Sequence, residues 1–154
     1  MHKCLKFLSA VGLLCMARAE AEPQMPATLI GEIPLPGIEG WFDHASVDVA
    51  GRRLFMPAEN KRALEVIDLA GGRVIREVTG FDGNPRRSIY LPGPNQLWVD
   101  DGASVKGFDW GSYTLIKNIP LSLGTSSLQQ QPDNGAYDPS SGYFYVCVLS
   151  LIHI

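Results

Sequence analysis

The chain has 154 residues, 45% of them hydrophobic and 19% charged, with a formal net charge of -3. That length suits one domain, and the charge balance excludes a basic nucleic-acid surface and a polybasic membrane-binding segment, so no nucleic-acid partner is expected. The 16 glycines and 11 prolines are scattered, which favours many short elements joined by turns.

The first element is a targeting segment. His2, Lys3 and Lys6 flank the start of an apolar stretch from Leu5 to Met16, and Ala17-Arg18-Ala19 places small residues where a signal peptidase reads. Residues 1–21 read as a signal peptide and 22–27 as a linker, with cleavage after Ala19 or Ala21. The apolar run is too short to span a bilayer, so no transmembrane segment is expected after cleavage. The mature protein is expected to be exported, periplasmic or extracellular. Leu14 precedes Cys15 where a lipobox needs a small residue, which argues against lipidation. Cleavage removes Cys4 and Cys15 and leaves Cys147, so no internal disulfide framework is expected.

The mature chain is a repeat. TLIGEIPL (28–35) and TLIKNIPL (114–121) share six of eight residues and begin 86 positions apart, twice a unit of about 43. RVIREVTG (73–80) is a degraded intermediate copy. LEVIDLAGGRVI (64–75) aligns with VKGFDWGSYTLI (105–116), which matches Asp68 to Asp109. RRLFM (52–56), NQLWV (95–99) and GYFYV (142–146) each follow a turn. One unit reads as four short strands, in the first copy His44–Asp48, Arg53–Pro57, Leu64–Asp68 and Val74–Val78. Ala70-Gly71-Gly72 supplies positive φ for a tight hairpin. Pro92-Gly93-Pro94-Asn95 and Asp138–Gly142 turn between first and second strands. Asp68 and Asp109 are placed to accept backbone N–H groups in the turns that follow them.

The stretch from Arg53 to Val99 resembles the YVTN repeat of the YncE-like β-propellers, which pairs a YVAN-like strand with a VxVID strand, a glycine turn and a V..TI strand. The resemblance runs from about Thr28 to Val148 and departs at Met56-Pro57 and at Arg86-Arg87. It implies an all-β fold, a β-propeller fragment of four-stranded antiparallel blades, with about seven blades in the full protein. The segments become a closing strand (28–35), a blade (43–79), a second blade (86–121) and a half blade (133–148). The closing strand would complete a last blade built from the other end of the chain. LSLIHI (149–154) breaks the repeat. One of its back-translations, CTG TCT CTT ATA CAC ATC, is the transposase end sequence of sequencing adapters. These six residues read as translated adapter, and the chain as a truncated propeller with open strand edges that would be poorly soluble alone.

In such propellers the lead-in to each innermost strand lies beside the central channel. Here the lead-in pairs are Asp43-His44, Arg86-Arg87 and Asp133-Asn134. Polar groups at equivalent places of successive blades would converge on one cleft, a binding site for a small molecule or a protein; Asp43 and Asp133 could instead cap turns. His44 has no second His or Cys at metal-ligand spacing. Asp100-Asp101-Gly102 resembles the start of a calcium loop without its later ligands and reads as a turn. Trp41, Trp98 and Trp110 read as packing residues. No G-x-S-x-G, P-loop or C-x-x-C-H is present.

The leading functional reading is therefore a non-catalytic exported binding or scaffold propeller without a cofactor. An alternative is a lactonase-like hydrolase using Ca2+ or another divalent metal, because Glu39-Gly40-Trp41 resembles the EGPxW segment of gluconolactonase-like propellers, in which the Glu binds the ion. A third reading is the propeller part of a periplasmic redox enzyme.

Overall fold

The computed structural model describes residues 27–121 and 132–148. The segment expected to be a signal peptide, the connection 122–131 and LSLIHI lie outside the described residues. Backbone contacts divide the chain into two units, Met1–Gly31 and Glu32–Ile154. Of the first, residues 27–31 are described, and they carry no regular structure.

Among the described residues of the second unit all regular structure is strand. Four strands, β1 (Ser46–Asp48), β2 (Arg53–Ala58), β3 (Ala63–Asp68) and β4 (Arg73–Val78), form an antiparallel sheet in chain order. A second sheet repeats this order with β5 (Pro85–Leu91), β6 (Gln96–Asp101), β7 (Ser104–Asp109) and β8 (Leu115–Pro120). β9 (Pro132–Asp138) and β10 (Tyr143–Val148) form a two-stranded sheet. Segment 28–35, expected as a closing strand, forms none; residues 27–35 lack regular structure and Ile30 is 99% exposed. Its backbone groups have no ladder to join, since no described strand pairs with it.

Chain reversals are set locally. Asp68 Oδ1 accepts the Ala70 N–H at 3.0 Å, and Asp109 Oδ1 accepts the Ser112 N–H at 2.8 Å. Asp48 and Asp138 do the same between first and second strands, to Gly51 and Ser140, each at 2.9 Å. Gly72 takes φ 61°, the left-handed turn that the Gly-Gly pair was expected to supply.

Burial follows strand position. β3 and β7 are buried along nearly their whole length, whereas β4 and β8 are largely exposed. The core lies between the two four-stranded sheets and contains Phe55, Leu64, Val66, Val78, Phe81, Leu97, Val99 and Phe108. Trp110 packs beside this core, with Tyr90 at 6.0 Å between ring centroids and the Arg53 guanidinium 4.5 Å over its ring. Trp98 meets Phe144 of the two-stranded sheet at 5.9 Å. Trp41 departs from the expected packing role, because its side chain is exposed.

Burial of both middle strands forces a compensation at their third residue. Glu65 and Lys106 occupy equivalent places, carry opposite charge and are both buried. Each has recruited a counter-ion: Lys61 lies 2.9 Å from Glu65, and Asp101 lies 2.8 Å from Lys106.

Candidate functional site at the strand lead-ins

The three lead-in pairs sit at a shared irregularity. In β5–β6 the register passes from Pro85↔Asp101 to Arg87↔Asp100, which leaves Arg86 as the extra residue of a bulge. In β9–β10 it passes from Pro132↔Val148 to Asn134↔Cys147, which leaves Asp133 extra. In the first sheet Phe42↔Ala58 and Ser46↔Phe55 bracket Asp43 and His44, again with one residue more on the first strand. A bulge bends the strand and re-aims the extra side chain, which a regular alternation would send to the opposite face. The repeat thus carries its two polar residues at a built-in break of the ladder.

The breaks of successive sheets meet. His44 bridges Arg87 in parallel fashion: the His44 N–H donates to the Arg86 carbonyl, and the His44 carbonyl accepts from the Ser88 N–H, both at 3.0 Å. Below this bridge the Ser46 and Ser88 hydroxyls are 2.9 Å apart, and Ser88 Oγ donates to the Phe55 carbonyl at 2.8 Å. On the other side Arg87 Nη1 donates to Asn134 Oδ1. Arg86 stands 3.8 Å from Asp133 and 3.9 Å from Glu59. His44 Nε2 lies 3.3 Å from Asp43 Oδ1. Asp43, His44 and Asp133 each bring one ligand atom within 4.8 Å of the others. All six lead-in residues therefore belong to one polar cluster. Among the described residues neither Asp43 nor Asp133 accepts a turn N–H.

Asp100 was missed as a site residue. It is not in a turn: Asp100 and Asp101 end β6, and the reversal is made by Gly102 and Ala103. Both carboxylates are buried. Asp101 accepts the Asp82 and Gly83 N–H groups at 2.9 and 2.7 Å and pairs with Lys106. Asp100 faces Arg87 across the ladder, and its Oδ2 is buried without a hydrogen-bond partner. Burial pushes its pKa up to about 6, against the pull of Arg87, with Asp133 raising it and His44 lowering it further. A signal was present in the sequence: the equivalent strand ends read Pro57-Ala58 and Cys147-Val148, so two aspartates there replace apolar residues.

Glu39, the residue of the lactonase alternative, is exposed and lies outside the Asp43–His44–Asp133 group. Beside the cluster opens a cavity of about 830 Å³, walled by the first strands of all three sheets. His44, Ser46, Arg87, Tyr90, Asn134 and Tyr137 supply its polar lining. That size falls within the usual range for small-molecule sites.

No protein-family model matches the sequence, and no curated protein does. Solved structures do match. The WD40 β-propeller domain of Doa1 superposes with a TM-score of 0.57 at 18% identity, over 71% of this chain and 34% of that one. Hydrazine synthase of Kuenenia stuttgartiensis superposes with a TM-score of 0.51 at 15% identity, over 70% of this chain and 37% of that one. The chain thus spans about a third of the length of either. At these identities the likeness shows the fold alone: the four-stranded sheets are blades of a β-propeller, and the lead-in cluster lies where blades adjoin.

Proposed function

We propose that this propeller is a YncE-like, YVTN-repeat protein that is exported and acts as a non-catalytic binding module through its channel face. The observation that carries the reading is the convergence of equivalent residues from three successive repeats, Asp43-His44, Arg86-Arg87 and Asp133-Asn134, beside one cavity. The cavity wall is rich in hydroxyl groups and carries the Arg87 guanidinium. Arg87 gives one N–H to Asn134 and keeps others for a ligand. A small molecule bearing a carboxylate or phosphate fits this wall, because a guanidinium fork binds such groups in two-point fashion. The exposed position of Glu39 lends no support to the lactonase reading.

Two measurements test the proposal. N-terminal sequencing of the secreted protein should give a start at Glu20 or Glu22. Native mass spectrometry of protein isolated from its own host should give a bound mass that Arg87→Ala loses while keeping its fold. The same mass in both, or none in either, would refute the channel-face reading.

A further inference from the structure

We propose that Asp43, His44 and Asp133 form a binding site for a divalent transition-metal ion of the zinc type, with the buried Asp100 on the adjoining strand β6. The inference rests on the channel-face reading and names the cofactor class of that site.

Geometry comes first. The three ligand atoms lie within 4.8 Å of one another and come from lead-ins of the first and third sheets. Metal–nitrogen and metal–oxygen bonds of about 2.0–2.2 Å need these atoms about 3–4 Å apart, which small side-chain rotations supply. The side chain of His44 is 54% exposed and free to make such a rotation. Three protein ligands leave a position open, the arrangement of sites that take up an exogenous ligand.

A second, independent observation comes from Asp100, which is 2% exposed and has a buried Oδ2 with no hydrogen-bond partner. A carboxylate oxygen in that state is costly unless something positive completes it. Arg87 is its ladder neighbour, but no hydrogen bond from it reaches this oxygen. Asp100 lies across the β5–β6 ladder from Arg87, whose other backbone neighbour is His44, so its strand adjoins the same cluster.

Charge agrees. Four carboxylates (Asp43, Glu59, Asp100 and Asp133) face two guanidiniums (Arg86 and Arg87), so the acidic groups outnumber the guanidiniums by two. Arg86 holds its partners only loosely, at 3.8 and 3.9 Å, and Asp133 is available to another cation. The donor set selects the ion: an imidazole with carboxylates suits zinc and its neighbours, whereas calcium and magnesium favour all-oxygen sites.

The test is calorimetric titration of Zn2+ into metal-stripped protein expressed from the genomic copy of its gene. One ion per chain is expected. Asp43→Asn, His44→Gln and Asp133→Asn should each weaken binding at least about tenfold. Glu39→Gln should bind as wild type does. Circular dichroism and melting in chelator should be unchanged in all variants, which separates lost ligands from lost fold. Added zinc should raise the melting temperature of wild type and of Glu39→Gln only. Absence of zinc binding, or equal binding by the three ligand variants, overturns the inference. The mass-spectrometric test of Arg87→Ala, run in chelator, reports separately on the channel face. A ligand retained there while zinc fails to bind removes the metal site alone.

Discussion

Replacing Lys106 with methionine removes the positive charge from the most enclosed ion network of the fold. Lys106 is 3% exposed, and its Nζ donates to Asp101 at 2.8 Å, to Asp82 at 2.7 Å and to the Gly80 carbonyl at 2.7 Å. These bonds tie the β4–β5 connection to the second blade. Burial alone pushes the lysine pKa down, but the hydrogen bonds to Asp101 and Asp82 outweigh it and hold the value above the usual one. The pair thus stabilises the fold fully below the ordinary lysine pKa, and the contribution is lost as pH rises through the folded value. Methionine keeps the bulk but strands the Asp101 carboxylate, whose side chain is fully buried. Removing one partner of a buried pair costs about 3–5 kcal/mol. Asp101 keeps two backbone donors, from Asp82 and Gly83, which puts the cost near the lower end, about 3 kcal/mol. With a urea slope of about 2 kcal/mol per molar, the unfolding midpoint should fall by about 1.5 M. Adding Asp101→Asn should recover part of the loss, since the stranded charge is gone. A fall worth less than about 1 kcal/mol, or a double variant weaker than the sum of the singles, would refute the reasoning.

Three further outcomes follow from local geometry. Gly83→Ala should destabilise by more than about 1 kcal/mol, because its Cβ would meet the Gly102 Cα at 2.6 Å, a backbone atom that cannot rotate away; a chemical melt checks this. Arg62 holds φ 51° in the β2–β3 turn, so Arg62→Gly should raise stability by about 0.5 kcal/mol in the same melt. Hydrogen bonds from Ser140 and then Ser141 pull the Asp138 pKa down to about 2, so its contribution is present above the ordinary carboxylate value and lost as pH falls from about 4 to about 2. Asp138→Asn should therefore be less stable than wild type at pH 7, with the difference closing near pH 2 in thermal melts.

The strands were legible because the repeat, the β-branched runs and the turn residues point the same way. The four strands expected for the first blade overlap β1–β4 in order, and Asp68, Asp109 and Gly72 take the turn roles read from the sequence. The lead-in pairs were legible as candidates because a repeat fixes equivalence. What joins them was not. A bulge inserts one residue without changing composition, so the re-aiming at Arg86 and Asp133 becomes visible only in the ladder register. Asp100 was hidden because Asp-Asp-Gly is turn chemistry by itself, and only the hairpin places both carboxylates one step earlier, inside the strand. Segment 28–35 takes no ladder here because β-propensity is realised only against a partner strand, and the partner expected for it is not among the described strands. Trp41 is exposed for a related reason: an aromatic side chain packs only where a second surface meets it.

The most direct test of convergence at the blade lead-ins is a crystal structure of the protein expressed from its genomic copy, grown with zinc and read with an anomalous difference map. The expected result has Asp43-His44, Arg86-Arg87 and Asp133-Asn134 around one channel mouth, with an anomalous peak among Asp43, His44 and Asp133. Lead-in pairs directed to separate surfaces, with Arg86 and Arg87 out of reach of residues 133 and 134, would contradict it whatever metal the crystal contained.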